Sequence, residues 1–210
     1  MRGAVPLLCV VLSVFFAGGC GSSSVPARSS EALVARSVGR GARYRPPPTA
    51  ATVAKALPVD AMRCGSKRTI GAAHLEVFVY GHVVVIAAGI GVAPPLRRRG
   101  AYVLGGRCTY PLHTLEPTGL VLIADGPERT LGDLFDLWGQ TLTTQAVAGF
   151  RAPTGHPVAV FIDGARWSGP PAAAPLSAGA QITVEFGEYV TPHAHYEFPA
   201  LRSLRSGARP

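Results

Sequence analysis

Past residue 60 the apolar runs of this chain are short and are cut by glycine or proline, and that punctuation limits the fold more than any other feature. With 25 glycines and 19 prolines in 210 residues, there is room for short strands and one short helix. Leu75-Glu76-Val77-Phe78-Val79-Tyr80 is β-branched and aromatic, and Gly81-His82 turns it into Val83-Val84-Val85-Ile86, which predicts a hairpin. Leu120 to Ala124, an unbroken apolar run, predicts a buried strand. Val158 to Ile162 closes on Asp163-Gly164, a strong hairpin signal with Ala165 to Ser168 as partner. Gln181 to Phe186 alternates strictly and predicts a half-buried strand. Between them, Tyr102 to Leu104 and Thr109 to Leu112 are short extended pieces, and Arg97-Arg98-Arg99-Gly100 after Pro94-Pro95 is expected to be an exposed loop. The three arginines form either a solvated tip or an anion site.

One helix start stands out. Thr130 precedes Asp133 by three residues, as in a capping box, and Leu131, Leu134, Phe135 and Trp138 follow at helical spacing until Gly139 stops the pattern. The fold class that follows is α+β, with short hairpins and strands packed around one main helix, or two small similar β-rich subdomains. The second form is suggested by the likeness of residues 77–81 and 160–164, each a strand opening a hairpin.

The N-terminus sets the location. Met1-Arg2 gives a positive start, and from Val5 to Cys20 there is no charged residue. That run is an export signal and is shorter than the roughly 20 apolar residues a membrane-spanning helix needs. Ala17-Gly18-Gly19-Cys20 resembles the bacterial lipobox, with Ala17 where that family usually has Leu. The resemblance implies cleavage before Cys20 and acylation of its thiol, palmitate included; an ordinary secretory signal ending in a chance cysteine is the alternative. The expected organisation is a signal at 1–19, a lipidated Cys20 with a flexible Ser/Ala/Arg/Pro-rich tether at 20–60, an extracytoplasmic domain at 61–200, and a basic disordered tail at 201–210. As flexible chain the tether would reach roughly 35 Å.

Charge and cysteines follow from that location. The formal net charge of +8 falls by one when Arg2 leaves, and much of the surplus sits in the flanks, at Arg28, Arg36, Arg40, Arg43 and Arg45 and at Arg202, Arg205 and Arg209. An exported protein meets anionic headgroups and wall polymers, so nucleic acid is not an expected partner. Cys9 leaves with the signal and Cys20 carries lipid. Cys64 and Cys108 then remain as a pair in an oxidising space, where a disulfide is expected and two buried free thiols are the alternative.

The motifs His74-Leu75-x-Val77-Phe78-Val79-x-Gly81, Cys108-Thr109-Tyr110-x-Leu112-His113-Thr114, Leu131-Gly132-x-Leu134-Phe135-x-x-Trp138-Gly139-Gln140 and Tyr196-x-Phe198-Pro199 resemble a family of uncharacterised bacterial exported proteins. The resemblance spans nearly all of residues 70–200 and implies fold more than activity. It also implies a histidine-rich arrangement suited to a transition metal. In this chain only His74 and His113 match it, with Ala72, Leu115, Leu122 and Ala124 where further ligands would stand. Glu76, on the strand face of His74, is a further candidate, and His193-Ala194-His195 puts two imidazoles on one side of an extended segment.

No catalytic residues are expected. The chain has no Gly-x-Ser-x-Gly elbow, phosphate loop or His-Glu-x-x-His helix. Asp133 and Asp136 share a helix start that favours carboxylates anyway, and a Cys108 thiol in a disulfide cannot serve with His113 as a nucleophile. The expectation is a non-enzymatic, cofactor-free lipoprotein, anchored to the cell membrane on its extracytoplasmic face, that binds an envelope protein or a small ligand. The alternative is a Cu- or Zn-binding or delivery lipoprotein using His74 and His113.

Overall fold

The computed structural model describes residues 62–65 and 68–199. The expected signal, Cys20, the tether and the basic tail lie outside these residues. The described part is α+β and mostly β, as expected: one α-helix and twelve strands in three sheets.

The chain order is β1 (Thr69–Val79), β2 (His82–Val83), β3 (Arg97–Arg99), β4 (Tyr102–Gly105), β5 (Leu112–His113), β6 (Leu120–Ala124), α1 (Leu131–Trp138), β7 (Leu142–Thr143), β8 (Ala146–Val147), β9 (Phe150–Arg151), β10 (Ala159–Ile162), β11 (Ala165–Arg166) and β12 (Gln181–Phe186). The main sheet runs β11-β10-β12-β1-β6-β5, with β2 paired to the far end of β1. Strand β1 begins six residues earlier than its β-branched run suggests, because Ala72 and Ala73 pair with β6 although neither is a strong strand former. Its parallel partner is β12, in the register His74↔Gln181 to Val79↔Phe186.

Both predicted hairpins form, and both join this one sheet. Tyr80 and Gly81 have φ of 50° and 72°, and Asp163 and Gly164 have 51° and 78°. Two consecutive left-handed residues make the type I′ turn whose twist matches paired strands. The likeness of residues 77–81 and 160–164 is therefore a shared turn solution.

One sheet face rests on the helix. Leu75, Val77, Val121, Ile182 and Val184 pack there with Leu131, Leu134, Phe135 and Trp138. The Thr130 hydroxyl accepts from the Asp133 amide while the Asp133 carboxylate accepts from the Thr130 amide, closing the predicted capping box. At the other end Gly139 is left-handed and the Gln140 amide reaches back to Phe135 O at 2.9 Å.

Two local readings change. Arg97 to Arg99 is strand β3 of an exposed hairpin with β4. Strand β12 is buried along its whole length, because the chain after it returns across the face that carries Gln181, Thr183 and Glu185. Tyr189 packs edge-on against Phe161, Tyr196 lies on His74, and Tyr196 and Phe198 cover Ala72, Leu120 and Leu122. Alternation correctly separates the two faces of β12 but does not tell that a strap covers the polar one.

Cys64 and Cys108 form a disulfide with Cα atoms 5.7 Å apart at a sequence separation of 44. It ties the start of the described chain to the segment after β4. Loop-closure entropy for a ring of that size gives about 4 kcal/mol. Replacing both cysteines by alanine is expected to lower unfolding stability by about that amount, read as a drop in the guanidinium midpoint with a somewhat steeper slope, because the unlinked unfolded chain exposes more surface.

Candidate functional site

His74 sits in the middle of β1 and is 8% exposed. Its ring lies flat against Tyr196, with centroids 3.8 Å apart and planes 6° from parallel. Nδ1 meets Gln181 Oε1 at 2.8 Å and Nε2 meets the Thr118 carbonyl at 2.9 Å. Gly119 makes the second contact possible: its φ is 83°, and a Cβ there would collide with the Leu75 carbonyl oxygen. The Gln181 side chain turns its NH2 to Glu76 Oε2 at 3.0 Å, so its oxygen is the atom left for His74. Both ring nitrogens thus face protein oxygens.

The network continues outward. Glu76 accepts from His193 Nδ1 at 2.9 Å, and His193 is largely exposed, so this ion pair adds little stability. His195 is exposed as well. The two histidines of 193–195 therefore do different things: His193 closes a polar chain that runs through Glu76, Gln181 and His74 to Thr118 O.

His113 lies on the same sheet face, on β5, opposite Leu122. His74 stands opposite Leu120 on β6, so strand β6 separates the two histidines and they are offset by two residues along it. At ordinary strand spacing this places their Cα atoms roughly 12 Å apart. His113 is buried and donates from Nδ1 to Tyr110 O at 3.2 Å. Burial pushes its pKa down from 6.5 to about 4, against a smaller opposing effect of the Tyr110 carbonyl.

The structure thus does not bring the two candidate metal ligands together. Among the described residues no group of three or more His, Cys, Asp or Glu side chains gathers as a metal site. Asp133 is occupied by the helix cap, and the Asp136 carboxyl is held above its usual range, first by burial and then by the nearby Asp133 charge.

Sequence reasoning missed Gln181 and Tyr196 as the partners of His74. The signals were present: a Gln opening the polar side of an alternating strand, and the Tyr196-x-Phe198 pair after the last strand. Glu185 is a further buried polar group on this face; burial raises its pKa, while the Val190 amide and Arg166 act in the opposite sense.

The remaining feature is the β3–β4 hairpin, where Arg97, Arg98 and Arg99 are exposed beside Tyr102 and Leu104, which are 48% and 50% exposed. From Val77 to Leu115 the chain has no Asp or Glu. Compared with protein-family models, curated proteins and solved structures, the chain finds no match.

The buried His113 sets a pH dependence whose sign is fixed. The unfolded chain takes up a proton near pH 6.5 and the folded chain only near 4, so stability is full above 6.5 and falls as pH drops through this window. The expected loss is about 3 kcal/mol between pH 7 and pH 4. His113→Asn should flatten that part of the profile in denaturant melts taken at pH 7, 6, 5 and 4.

Proposed function

We propose that this chain is a lipid-anchored protein on the extracytoplasmic face of a cell membrane, and that residues 61–200 form a non-enzymatic module binding a partner in the envelope. The observation that carries the reading is the Cys64–Cys108 disulfide, since such bonds persist in oxidising compartments. The charge-free run from Val5 to Cys20 and the small residues before Cys20 agree with it. Among the described residues no helix is long and apolar enough to cross a membrane, so the acyl chains at Cys20 would be the attachment in this reading.

A binding role is favoured over catalysis by how the polar groups are used. His74 has both nitrogens engaged by protein oxygens under a tyrosine ring, His113 is buried in its neutral form, and Cys108 is in a disulfide. These groups hold the sheet together, and the exposed hairpin with its arginines, Tyr102 and Leu104 offers a surface for recognition.

The anchor is tested by intact-mass and N-terminal peptide spectrometry of protein extracted from membranes. Acylated Cys20 as the first residue is the expected result, and Cys20→Ala should release the protein from the membrane fraction or leave the signal uncleaved. An unmodified Cys20, or an N-terminus that retains Arg2, overturns the reading.

A further inference from the structure

We infer that the β3–β4 hairpin is a docking surface for the anionic phospholipid headgroups of the bilayer. In β4, Val103 is buried while its neighbours Tyr102 and Leu104 point outward. Arg99 stands opposite Tyr102, so cation and ring share the outer face, and Arg97 lies at the bulge opposite Gly105. An exposed Tyr and Leu flanked by guanidinium groups suit a headgroup layer, where the ring and the aliphatic chain enter the acyl boundary and arginine binds phosphate. A soluble polyanion would engage the charges alone.

The hairpin is held rigidly. Val103 packs with Ala88 and Val92, and Leu96 and Leu115 lie against them. The Val103 amide donates to Leu115 O at 2.8 Å. The outer face is therefore presented by a fixed platform, which lowers the ordering cost of docking.

Its position relative to the incoming chain selects the membrane as occupant. Cys64 is bonded to Cys108, and the Gly65 amide donates to Thr109 O at 3.0 Å. Cys108 is three residues beyond the end of β4, a span of no more than about 10 Å of chain. The described chain thus begins, at residues 62–65, at the base of this hairpin. Charge complementarity points the same way, because the acid-free stretch from Val77 to Leu115 contains the hairpin and Arg107 besides.

The inference rests on the anchored reading but is tested apart from it. The mature chain from residue 20, with Cys20→Ser so that it carries no lipid, is floated with vesicles of phosphatidylglycerol and phosphatidylcholine, and with phosphatidylcholine alone. Wild type should bind the anionic vesicles preferentially and lose binding in high salt. Arg97→Gln with Arg99→Gln should weaken partitioning on the order of 10- to 30-fold. Tyr102→Ser with Leu104→Ser, which keeps every charge, should weaken it as well. All four side chains are exposed, so both variants should keep the wild-type melting midpoint. Vesicle binding by both variants equal to wild type assigns it to the basic flanks and overturns the inference. Full competition by inorganic polyphosphate, with the Tyr102/Leu104 variant unaffected, makes a soluble polyanion the occupant and overturns it too. An unacylated Cys20 in cells, with hairpin-dependent vesicle binding intact, removes the anchor and leaves the docking surface standing.

Discussion

The ring of Tyr196 lying on His74 decides what the polar face of the sheet can be. A seven-stranded sheet has two faces to deal with, and here the helix covers only one. The other carries His74, Gln181, Thr183 and Glu185, all buried. Burying such groups is costly unless each finds a partner. The strap after β12 excludes water from them, and the Gln181 bridge, the Thr118 carbonyl and the Val190 amide supply partners for His74, Gln181 and Glu185, while the buried Thr183 hydroxyl has no hydrogen-bond partner. Without the strap the same residues would make an ordinary solvated face. With it, His74 becomes a fixed strut between β1, β12 and the turn before β6.

The second constraint is covalent. The disulfide joins the entry of the chain to the base of the arginine hairpin, and strand β1 starts only five residues after Cys64. Entry point, hairpin and central strand are thereby coupled in a short length of backbone. On the proposed reading this geometry gives the lipoprotein a defined near side, with cationic and aromatic groups facing the surface to which residue 20 is attached. The acidic residues 125, 128, 133 and 136 follow β6 or belong to α1, outside the acid-free stretch, so the charge is segregated along the chain.

How far the sequence alone reached follows from the range of the interactions. The capping box at Thr130, the glycine stop at 139, the Tyr80-Gly81 and Asp163-Gly164 turns and the buried β6 are local matters, settled within a few residues, and each was readable. The disulfide was readable from the cysteine count together with the expected compartment. The pairing of β1 with β12 was not, since it joins His74 to Gln181 across more than a hundred residues and no periodicity encodes it. The same distance hid the role of Gln181 and Tyr196, and made His74 look like a free ligand. Arg97 to Arg99 looked like a loop because Pro94-Pro95 and Gly100 bracket it; pairing with Tyr102 and Val103 makes it a strand all the same.

The claim on which the rest depends is that the strap closes the polar face. Its most direct test is a guanidinium melt of the chain carrying Tyr196→Ser and Phe198→Ser. Both rings pack half-buried against the cluster of Ala72, Leu120 and Leu122, and since full burial of an aromatic contributes about 1.5 to 3 kcal/mol, each ring contributes about half of that. A loss of about 2 kcal/mol is expected, with His74 becoming accessible to diethyl pyrocarbonate in the folded protein. An unchanged midpoint with His74 still protected would mean that something other than residues 189–199 covers this face, and would contradict the account.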